Sequence, residues 1–182
     1  GVVRSNLTEQ LAQATGTGSD SFGYVGGGYG YTSPSTQRSK VERLDYNNDT
    51  ATAVAKGPLT VARYYLAATG NNSFGYFAGG YNGSANVSTI DRLDYSSDTT
   101  AAVAKGSMTI IRQQFGAMGN QSFGYFAGAW VGNSIVDRVD YSNDTPTASA
   151  RGNLATETGR NTAVGNANFG YVTKAGRLNP LV

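Results

Sequence analysis

The sequence predicts an all-β protein built from repeated units of four antiparallel strands. One phrase recurs along the chain, as "SDSFGYVGGGY" at 19–29, "NNSFGYFAGGY" at 71–81 and "NQSFGYFAGAW" at 120–130. A second phrase lies between successive copies of the first and reads "RLDYNNDT", "RLDYSSDT" and "RVDYSNDT". Units of about 46 to 52 residues that each hold four short strands are typical of the blades of a β-propeller.

The spacing of the two phrases shows where the repeats differ in length. The phenylalanines of the first phrase are Phe22, Phe74, Phe123 and Phe169. Their separation falls from 52 to 49 to 46 residues along the chain. The aspartates before the tyrosine of the second phrase are Asp45, Asp94 and Asp140. Each of them precedes the next phenylalanine by 29 residues, so all length variation lies in the connection after the first phrase.

The second unit illustrates the four strands, which we label A to D. Strand A is "LTVARYYLAATG" at 59–70, strand B "SFGYFAGG" at 73–80, strand C "STIDRLDY" at 88–95 and strand D "TAAVAKG" at 100–106. Turn residues, "GNN" and "SSDT", separate A from B and C from D. The β-branched and aromatic content favours antiparallel strands, and no segment sustains the 3.6-residue apolar period of a helix.

The repeats divide one domain, residues 1–182, into units of about 7–58, 59–107, 108–153 and 154–182. The start "GVVRSNLT" aligns with "AVAKGPLT" at 53–60, so residues 1–6 supply the strand D that the last unit lacks. This predicts a ring of four blades that is closed by pairing the first and last strands, which leaves no long open edge. A part of a larger propeller is the alternative.

Composition excludes several classes of function. The chain has no cysteine and no histidine, which removes disulfides, thiol nucleophiles and the commonest zinc ligands. Charged residues make up 14% of the chain with a net charge of +2, so a nucleic-acid partner is not expected. No apolar run approaches the roughly 18 residues of a membrane span. We therefore expect no cofactor, no metal site and no membrane insertion.

The repeated carboxylates have structural interpretations. Paired carboxylates catalyse glycoside hydrolysis, but a pair that recurs in every unit does not form a single catalytic centre. We therefore interpret Asp45, Asp94 and Asp140 as structural and assign no catalytic residue. The aspartates of the C–D turns, Asp49, Asp98 and Asp144, are expected to hydrogen-bond the backbone of their own turns.

Antiparallel geometry places the connections on two sides of the predicted disc. The B–C and D–A connections share one side, which we call the variable face, while the A–B and C–D turns lie on the other. Loops that vary on a repeated scaffold are the usual place for recognition. The shared phrase thus builds the sheet, and the residues after it decorate the variable face.

The candidate ligand-binding residues lie in those connections. They are the aromatics Tyr29, Tyr31, Tyr81 and Trp130, the amides Asn82 and Asn133, and the cations Lys56, Lys105 and Arg151, with Arg4 at the equivalent position. Exposed aromatics stack on sugars or anchor protein partners, and amides and cations add hydrogen bonds and charge. As alternatives, the aromatics pack on the neighbouring blade, and the cations are solvated or pair with Glu42, Asp91 and Asp137.

The segment "IDRLDYSSDTTAAVAKGSMTIIR" resembles a kelch repeat. Gly79 and Gly80 match its double glycine, "DY" at 94–95 matches a later pair, and Arg63 and Arg112 match its arginine, while the usual tryptophan is missing. This resemblance implies a propeller fold and no particular activity. The wording "DYSNDT" with "FGYF.GG" is also similar to repeats of tail or fibre proteins of marine bacteriophages, especially cyanophages.

We therefore expect a non-enzymatic structural or adhesive module of a phage virion, in a tail, fibre or decoration protein. Its partners would be other virion proteins or a host-surface glycan, bound through the variable face. The alternative is a carbohydrate-binding or protein-binding propeller of a bacterial surface or secreted protein. An enzyme ranks third, and a homo-oligomer is compatible with all three.

Overall fold

The structure, a computed structural model, describes residues 6–130 and 132–173. The strands are β1 (Leu11–Ala12), β2 (Thr15–Gly18), β3 (Phe22–Gly26), β4 (Tyr29–Gly30), β5 (Thr36–Gln37), β6 (Val41–Asp45), β7 (Val54–Lys56), β8 (Ala67–Gly70), β9 (Phe74–Ala78), β10 (Ile90–Asp94), β11 (Val103–Ala104), β12 (Gly116–Gly119), β13 (Phe123–Ala127), β14 (Asn133–Asp140), β15 (Ser149–Thr158), β16 (Ala163–Gly165) and β17 (Gly170–Val172). Two short 3-10 helices span Tyr46–Asn48 and Tyr95–Ser97.

Three four-stranded antiparallel sheets follow one another along the chain. The first sheet has the order β2-β3-β6-β7, the second β8-β9-β10-β11 and the third β12-β13-β14-β15. A small sheet, β1-β4-β5, accompanies the first unit, and the terminal hairpin β16–β17 represents the fourth. The predicted all-β class and its antiparallel four-stranded units are confirmed.

The observed strands are shorter than the predicted ones, most of all in strand A. The sequence predicts an extended segment at 59–70, but only Ala67–Gly70 form a strand paired with β9, and Tyr64 adds an isolated bridge to Tyr81. Residues 59–66 instead connect two sheets and are held by a buried carboxylate. Asp91 accepts hydrogen bonds from the Thr60 backbone N–H (3.0 Å) and from Arg63 Nη1 (2.9 Å). Arg63 is fully buried, and desolvation lowers its pKa against the opposing effect of Asp91.

The third unit repeats this buried pair. Asp137 accepts from the Thr109 backbone N–H at 3.0 Å and pairs with Arg112, and both charged side chains are buried. The arginines that match the kelch pattern therefore fix the path of the connection between sheets, because an unpaired charge at these depths would be strongly destabilising.

The turns have nearly identical sequences because their side chains hydrogen-bond the backbone. Asn71 Oδ1 accepts from the backbone N–H groups of Ser73 and Phe74, both at 2.9 Å, and Asn120 and Asn166 act in the same way. On the C–D side, Asp45 and Asp94 accept a backbone N–H at 2.9 Å and cap the two 3-10 helices. Asp140 makes the equivalent bond to Ser142.

Two aspartates of the C–D turns, Asp98 and Asp144, bind the preceding sheet instead of their own turn. Asp98, in the second unit, accepts from the Tyr24 hydroxyl (2.9 Å), Arg43 Nη1 (2.8 Å) and Lys56 Nζ (3.0 Å) of the first sheet. Its carbonyl accepts from the backbone N–H of Gly57 at 2.8 Å. We call this arrangement an aspartate clasp. The prediction of a bond within the turn is wrong for Asp98 and Asp144.

A second clasp joins the second and third sheets with the same chemistry. Asp144 accepts from the Tyr76 hydroxyl (2.9 Å) and Arg92 Nη1 (2.9 Å), and pairs with Lys105 Nζ at 3.3 Å. The Gly106 N–H donates to its carbonyl at 2.9 Å. A Cβ at Gly106 would lie 1.6 Å from a carbonyl oxygen of the incoming turn, and the same distance applies to Gly57 in the first clasp. Only glycine fits there.

Each clasp also contains a stacked pair of tyrosines. Tyr95 stacks on Tyr24 with ring centroids 4.4 Å apart, and Tyr141 stacks on Tyr76 at 4.6 Å. Burial and the hydrogen bond to Asp98 raise the pKa of Tyr24, so its hydroxyl remains a donor. A tyrosine and an aspartate three residues apart thus enter the preceding sheet together.

The first strands of successive units lie side by side, β2 beside β8, β8 beside β12 and β12 beside β16. This arrangement is propeller-like, but the described sheets do not close into a ring. Tyr46 and Tyr171 are 56% and 60% exposed, whereas their counterparts Tyr95 and Tyr76 are stacked. Residues 1–5 of the predicted closing strand 1–6 and residues 174–182 of the last unit lie outside the described residues, so four-blade closure stays a prediction.

Substitution Asp98→Ala should lower the free energy of unfolding by about 3 kcal/mol, because three buried or half-buried donors lose their shared acceptor. Equilibrium urea unfolding measures the change. The matched control Glu157→Ala removes an exposed carboxylate and should change the free energy by less than about 0.5 kcal/mol. Equal effects of the two substitutions would contradict the importance of the clasp.

The stability should also depend on acid pH through Asp98. Burial alone would raise the pKa of Asp98, but hydrogen bonds from Lys56 and Tyr24 and the charges of Arg43 and Lys56 outweigh it, so the pKa is lowered. Because the pKa is lower in the folded state, the ionised carboxylate stabilises the fold at pH values above the unfolded pKa of about 3.9. This contribution to stability is lost as the pH falls through the native pKa. At pH values below about 4, we expect the free energy of unfolding to decrease as the pH is lowered, and to decrease less steeply in Asp98→Asn. Urea titrations at several pH values measure both dependences.

Candidate binding face

Five tyrosines gather on the variable face at the junction of the first and second units. This tyrosine cluster consists of Tyr29, Tyr31, Tyr64, Tyr65 and Tyr81. Tyr64 is its centre, with ring centroids 5.5 Å from Tyr29, 4.8 Å from Tyr65 and 5.6 Å from Tyr81. Tyr31 packs edge-on against Tyr29 at 5.6 Å. The cluster therefore forms one continuous aromatic surface.

Backbone hydrogen bonds hold the cluster in place. Tyr64 and Tyr81 exchange two backbone bonds, of 3.1 and 2.8 Å. Tyr29 belongs to β4, and the Tyr65 N–H donates to the carbonyl of Gln13 at 3.0 Å. Desolvation and, secondarily, the neighbouring phenols raise the pKa of Tyr64. The rings are thus presented by paired backbone on both sides of the sheet junction.

The structure brings together three of the predicted aromatics, Tyr29, Tyr31 and Tyr81, through Tyr64. Tyr29 and Tyr81 are half-buried, which agrees in part with packing on the neighbouring unit, while Tyr31 is 58% exposed. Sequence reasoning missed Tyr64 and Tyr65, because both fall in the segment read as strand A. The charged Arg63 directly before them was the available signal that a regular strand is interrupted there.

Trp130 lies apart from the tyrosine cluster and is covered by a cation. The Arg160 guanidinium lies 4.0 Å above the centre of its ring, and the indole side chain is 38% exposed. Arg160 Nε donates to Gln114 Oε1 at 3.2 Å, which fixes the guanidinium over the ring. A cation–π contact of this kind stabilises the guanidinium over the ring.

A pocket of about 370 Å³ connects the two aromatic regions and is lined by Tyr65, Gln114, Phe115, Arg160 and Asn161. Asn161 is buried and donates from Nδ2 to the Ala127 carbonyl at 2.9 Å. Its Oδ1 atom has no hydrogen-bond partner among the described residues. Equivalent positions in the other units hold the apolar Leu66 and Phe115, so this amide breaks the repeat symmetry at the pocket.

Three residues that line this pocket, Tyr65, Gln114 and Arg160, share an unusual backbone conformation with Gln13, the equivalent residue of the first unit. Their φ angles are 60°, 52° and 53°, and that of Gln13 is 55°. The Gln114 N–H donates to the Tyr65 carbonyl at 2.9 Å, and the Arg160 N–H to the Gln114 carbonyl at 3.1 Å. Left-handed backbone at non-glycine residues is maintained only by surrounding structure, and its recurrence in successive units indicates a role in joining the repeats.

The predicted amides are largely used by the protein itself. Asn82 Oδ1 accepts from the backbone N–H groups of Ser84 and Ala85, at 2.9 and 2.8 Å. Asn133 Oδ1 accepts from the Ile135 N–H at 2.7 Å. Their carbonyl oxygens therefore stabilise the connections, and their contribution to a ligand would come from the amide nitrogen.

The predicted cations do not form a common patch. Lys56 and Lys105 are largely buried in the two aspartate clasps, so their expected place on the variable face is wrong. Their partners are Asp98 and Asp144, because the C–D turn of the next unit docks against each lysine. The expected partners Glu42, Asp91 and Asp137 do not pair with them. Arg151 is exposed, and Arg4 lies outside the described residues.

Carboxylates of the described chain have structural partners near the candidate face. Glu42 pairs with Lys40 at 2.9 Å, and Asp91 and Asp137 hold the buried arginines. Within residues 6–130 and 132–173, no three acidic side chains are grouped so as to hold a metal ion. No helix in that part of the chain is long and apolar enough to cross a membrane.

Comparison with known proteins supports the fold. Neither the protein-family models nor the curated proteins include a match to the chain. A solved structure of YjhT is similar, with a TM-score of 0.68 and 13% sequence identity over 85% of this chain. The match covers 56% of the YjhT chain, so this chain spans little more than half of that one. At this identity the similarity concerns the architecture alone.

Proposed function

We propose that the chain forms successive kelch-like blades of a β-propeller and is a non-enzymatic binding module. Its variable face would engage a glycan or a protein through the tyrosine cluster and the adjacent pocket. The observation that carries this proposal is the continuous aromatic surface around Tyr64, held by backbone pairing between two sheets.

A glycan is the ligand that this surface favours. Aromatic rings stack on the apolar faces of sugars, and hydroxyl, amide and guanidinium groups beside them hydrogen-bond sugar hydroxyls. The pocket offers such groups from Gln114, Arg160 and Asn161 next to the Tyr65 ring. A protein partner would use the same rings as anchors. The structural engagement of the repeated carboxylates favours binding over acid–base catalysis.

A virion is the proposed location, as part of a tail, fibre or decoration protein. The support is the similarity of "DYSNDT" and "FGYF.GG" to repeats of marine-phage structural proteins. A bacterial surface or secreted protein is the alternative and would use the same face. Neighbouring genes distinguish the two, since capsid and tail genes accompany the first and surface or secreted enzymes the second.

Glycan-array and host-cell binding by the purified protein tests the function. We expect Tyr31→Ala to weaken binding about tenfold, because it removes an exposed stacking ring without opening the core. The matched control Tyr46→Ala removes a similarly exposed ring outside the variable face and should bind like the wild type. Trp130 is the sole tryptophan, so its emission reports ligand entry beside Arg160. Equal binding by the two variants would refute the aromatic site.

Closure of the propeller has its own test. Replacing Tyr46 and Tyr171 by cysteine introduces the only two thiols of the chain. In a closed four-bladed ring the two positions are neighbours, like the stacked pair Tyr24 and Tyr95, and a short bifunctional thiol reagent should link them within one chain. Mass spectrometry of the monomer detects the link. Absence of the link would favour an open set of blades.

A further inference from the structure

Two adjacent residues of the fourth unit, Arg160 and Asn161, depart from the repeat at one pocket. The equivalents of Arg160 in the other units are uncharged, namely Gln13, Tyr65 and Gln114. The equivalents of Asn161 are apolar, namely Ala14, Leu66 and Phe115. Both departures line the pocket of about 370 Å³ on the variable face. Two breaks in the repeat that meet in one cavity indicate a role other than building the repeated scaffold.

The Arg160 guanidinium is held in one orientation and has no anionic partner. It lies 4.0 Å above the centre of the Trp130 ring, and its Nε atom donates to Gln114 Oε1 at 3.2 Å. None of the described carboxylates forms an ion pair with it. A guanidinium that is already oriented loses little freedom on binding, and its planar fork matches a carboxylate in a bidentate contact.

Asn161 supplies an unused hydrogen-bond acceptor to the same pocket. The residue is only 6% exposed, and its Nδ2 atom donates to the Ala127 carbonyl at 2.9 Å. That bond fixes the amide and leaves its Oδ1 atom, which has no hydrogen-bond partner in the described part of the chain. A buried acceptor without a partner lowers stability, and an apolar residue at this position would avoid that cost. The amide therefore suits a ligand group that donates, such as a hydroxyl.

The remaining lining groups fit the ring of a sugar. Tyr65 and Phe115 supply aromatic surface, and Gln114 offers its amide nitrogen, because its Oε1 atom already accepts from Arg160. None of the five lining residues is acidic, so an anion meets no like charge from them. A small inorganic anion would use the guanidinium alone and would leave the rings and the Asn161 acceptor without a contact. The combination of groups favours a ligand that carries a carboxylate, hydroxyls and an apolar face together.

We propose that this pocket binds an acidic sugar residue through its carboxylate. The carboxylate accepts hydrogen bonds from the terminal nitrogens of Arg160, and a sugar hydroxyl donates to Asn161 Oδ1. A second hydroxyl accepts from the Gln114 amide, and the apolar face of the sugar ring packs on Tyr65. Uronic acids and sialic acids share this chemistry. The inference rests on the proposed glycan-binding function and adds to it the class of sugar that the pocket selects.

The test compares acidic sugars with their neutral counterparts. A galacturonic acid trisaccharide is titrated beside the same trisaccharide with its carboxyl groups reduced to alcohols, and sialyllactose is titrated beside lactose. Trp130 emission reports binding next to Arg160, and ligand-observed NMR detects binding that leaves the emission unchanged. We expect at least one acid to bind about tenfold or more tightly than its neutral counterpart, because the neutral sugar lacks the charge-assisted contact. The acid that binds more tightly identifies the source of the carboxylate.

Variants of the protein assign the contacts. Arg160 is exposed, so Arg160→Gln keeps the fold, and it should weaken binding of the acid about tenfold. Arg138→Gln is the matched control, because the Arg138 guanidinium also lies over a ring, 4.3 Å from the centre of Phe123, but does not line the pocket. Asn161→Leu introduces the residue of the second unit and should weaken both kinds of sugar. Thermal unfolding of each variant is measured first, so that a loss of fold is recognised as such.

Several results would overturn the inference without touching the proposed function. They are equal affinity for acidic and neutral sugars, equal losses in Arg160→Gln and Arg138→Gln, and no binding of either acid by the folded wild type. Displacement of the acids by acetate at the same carboxylate concentration would also overturn it, because the site would then recognise a carboxylate without a sugar. Binding on the glycan array that Tyr31→Ala weakens would in each case leave the proposed glycan-binding function in place.

Discussion

The structure depends on a carboxylate that the second unit and the third unit each insert into the sheet before it. The carboxylates of Asp98 and Asp144 each contact a tyrosine hydroxyl, an arginine and a lysine of the preceding sheet. Each joint also has two backbone hydrogen bonds, one of which is donated by the glycine N–H. A buried charge is tolerated only with such full pairing, so it specifies one docking geometry between sheets. Apolar packing alone would allow the sheets to slide.

That constraint accounts for the repetition in the sequence. The glycine after strand D gives the incoming turn room, the tyrosine of strand B supplies a donor and a stacking surface, and the arginine of strand C supplies the charge. Because both described clasps need the same set, the phrases that carry it recur almost unchanged. The connections on the variable face also bond between units through their backbone, as from the Tyr65 N–H to the Gln13 carbonyl, so their length and side chains can differ from unit to unit.

The same separation explains why the candidate binding surface lies on one side of the scaffold. The tyrosine cluster and the pocket by Arg160 lie on connections that vary between units, and the pocket is the place where Asn161 breaks the repeat. The aspartate clasps, in contrast, use the same residue types in both described joints. A variable face suits a ligand outside the repeat system.

By itself the sequence determined the all-β class, the order of the strands, their antiparallel pairing and the side on which variation lies, because period, turn residues and spacing are local properties. It also predicted Tyr29, Tyr31, Tyr81 and Trp130 on one face, of which the first three meet through Tyr64 and Trp130 lies apart. Only the tertiary structure decided which side chains meet. Lys56 was expected at the surface and is buried against Asp98. Tyr64 and Tyr65 were predicted to lie in a strand and belong to the centre of the tyrosine cluster. The contact between Lys56 and Asp98 joins residues more than 40 positions apart, and the tyrosine cluster depends on where the chain leaves one sheet for the next. Local sequence patterns carry no information on either.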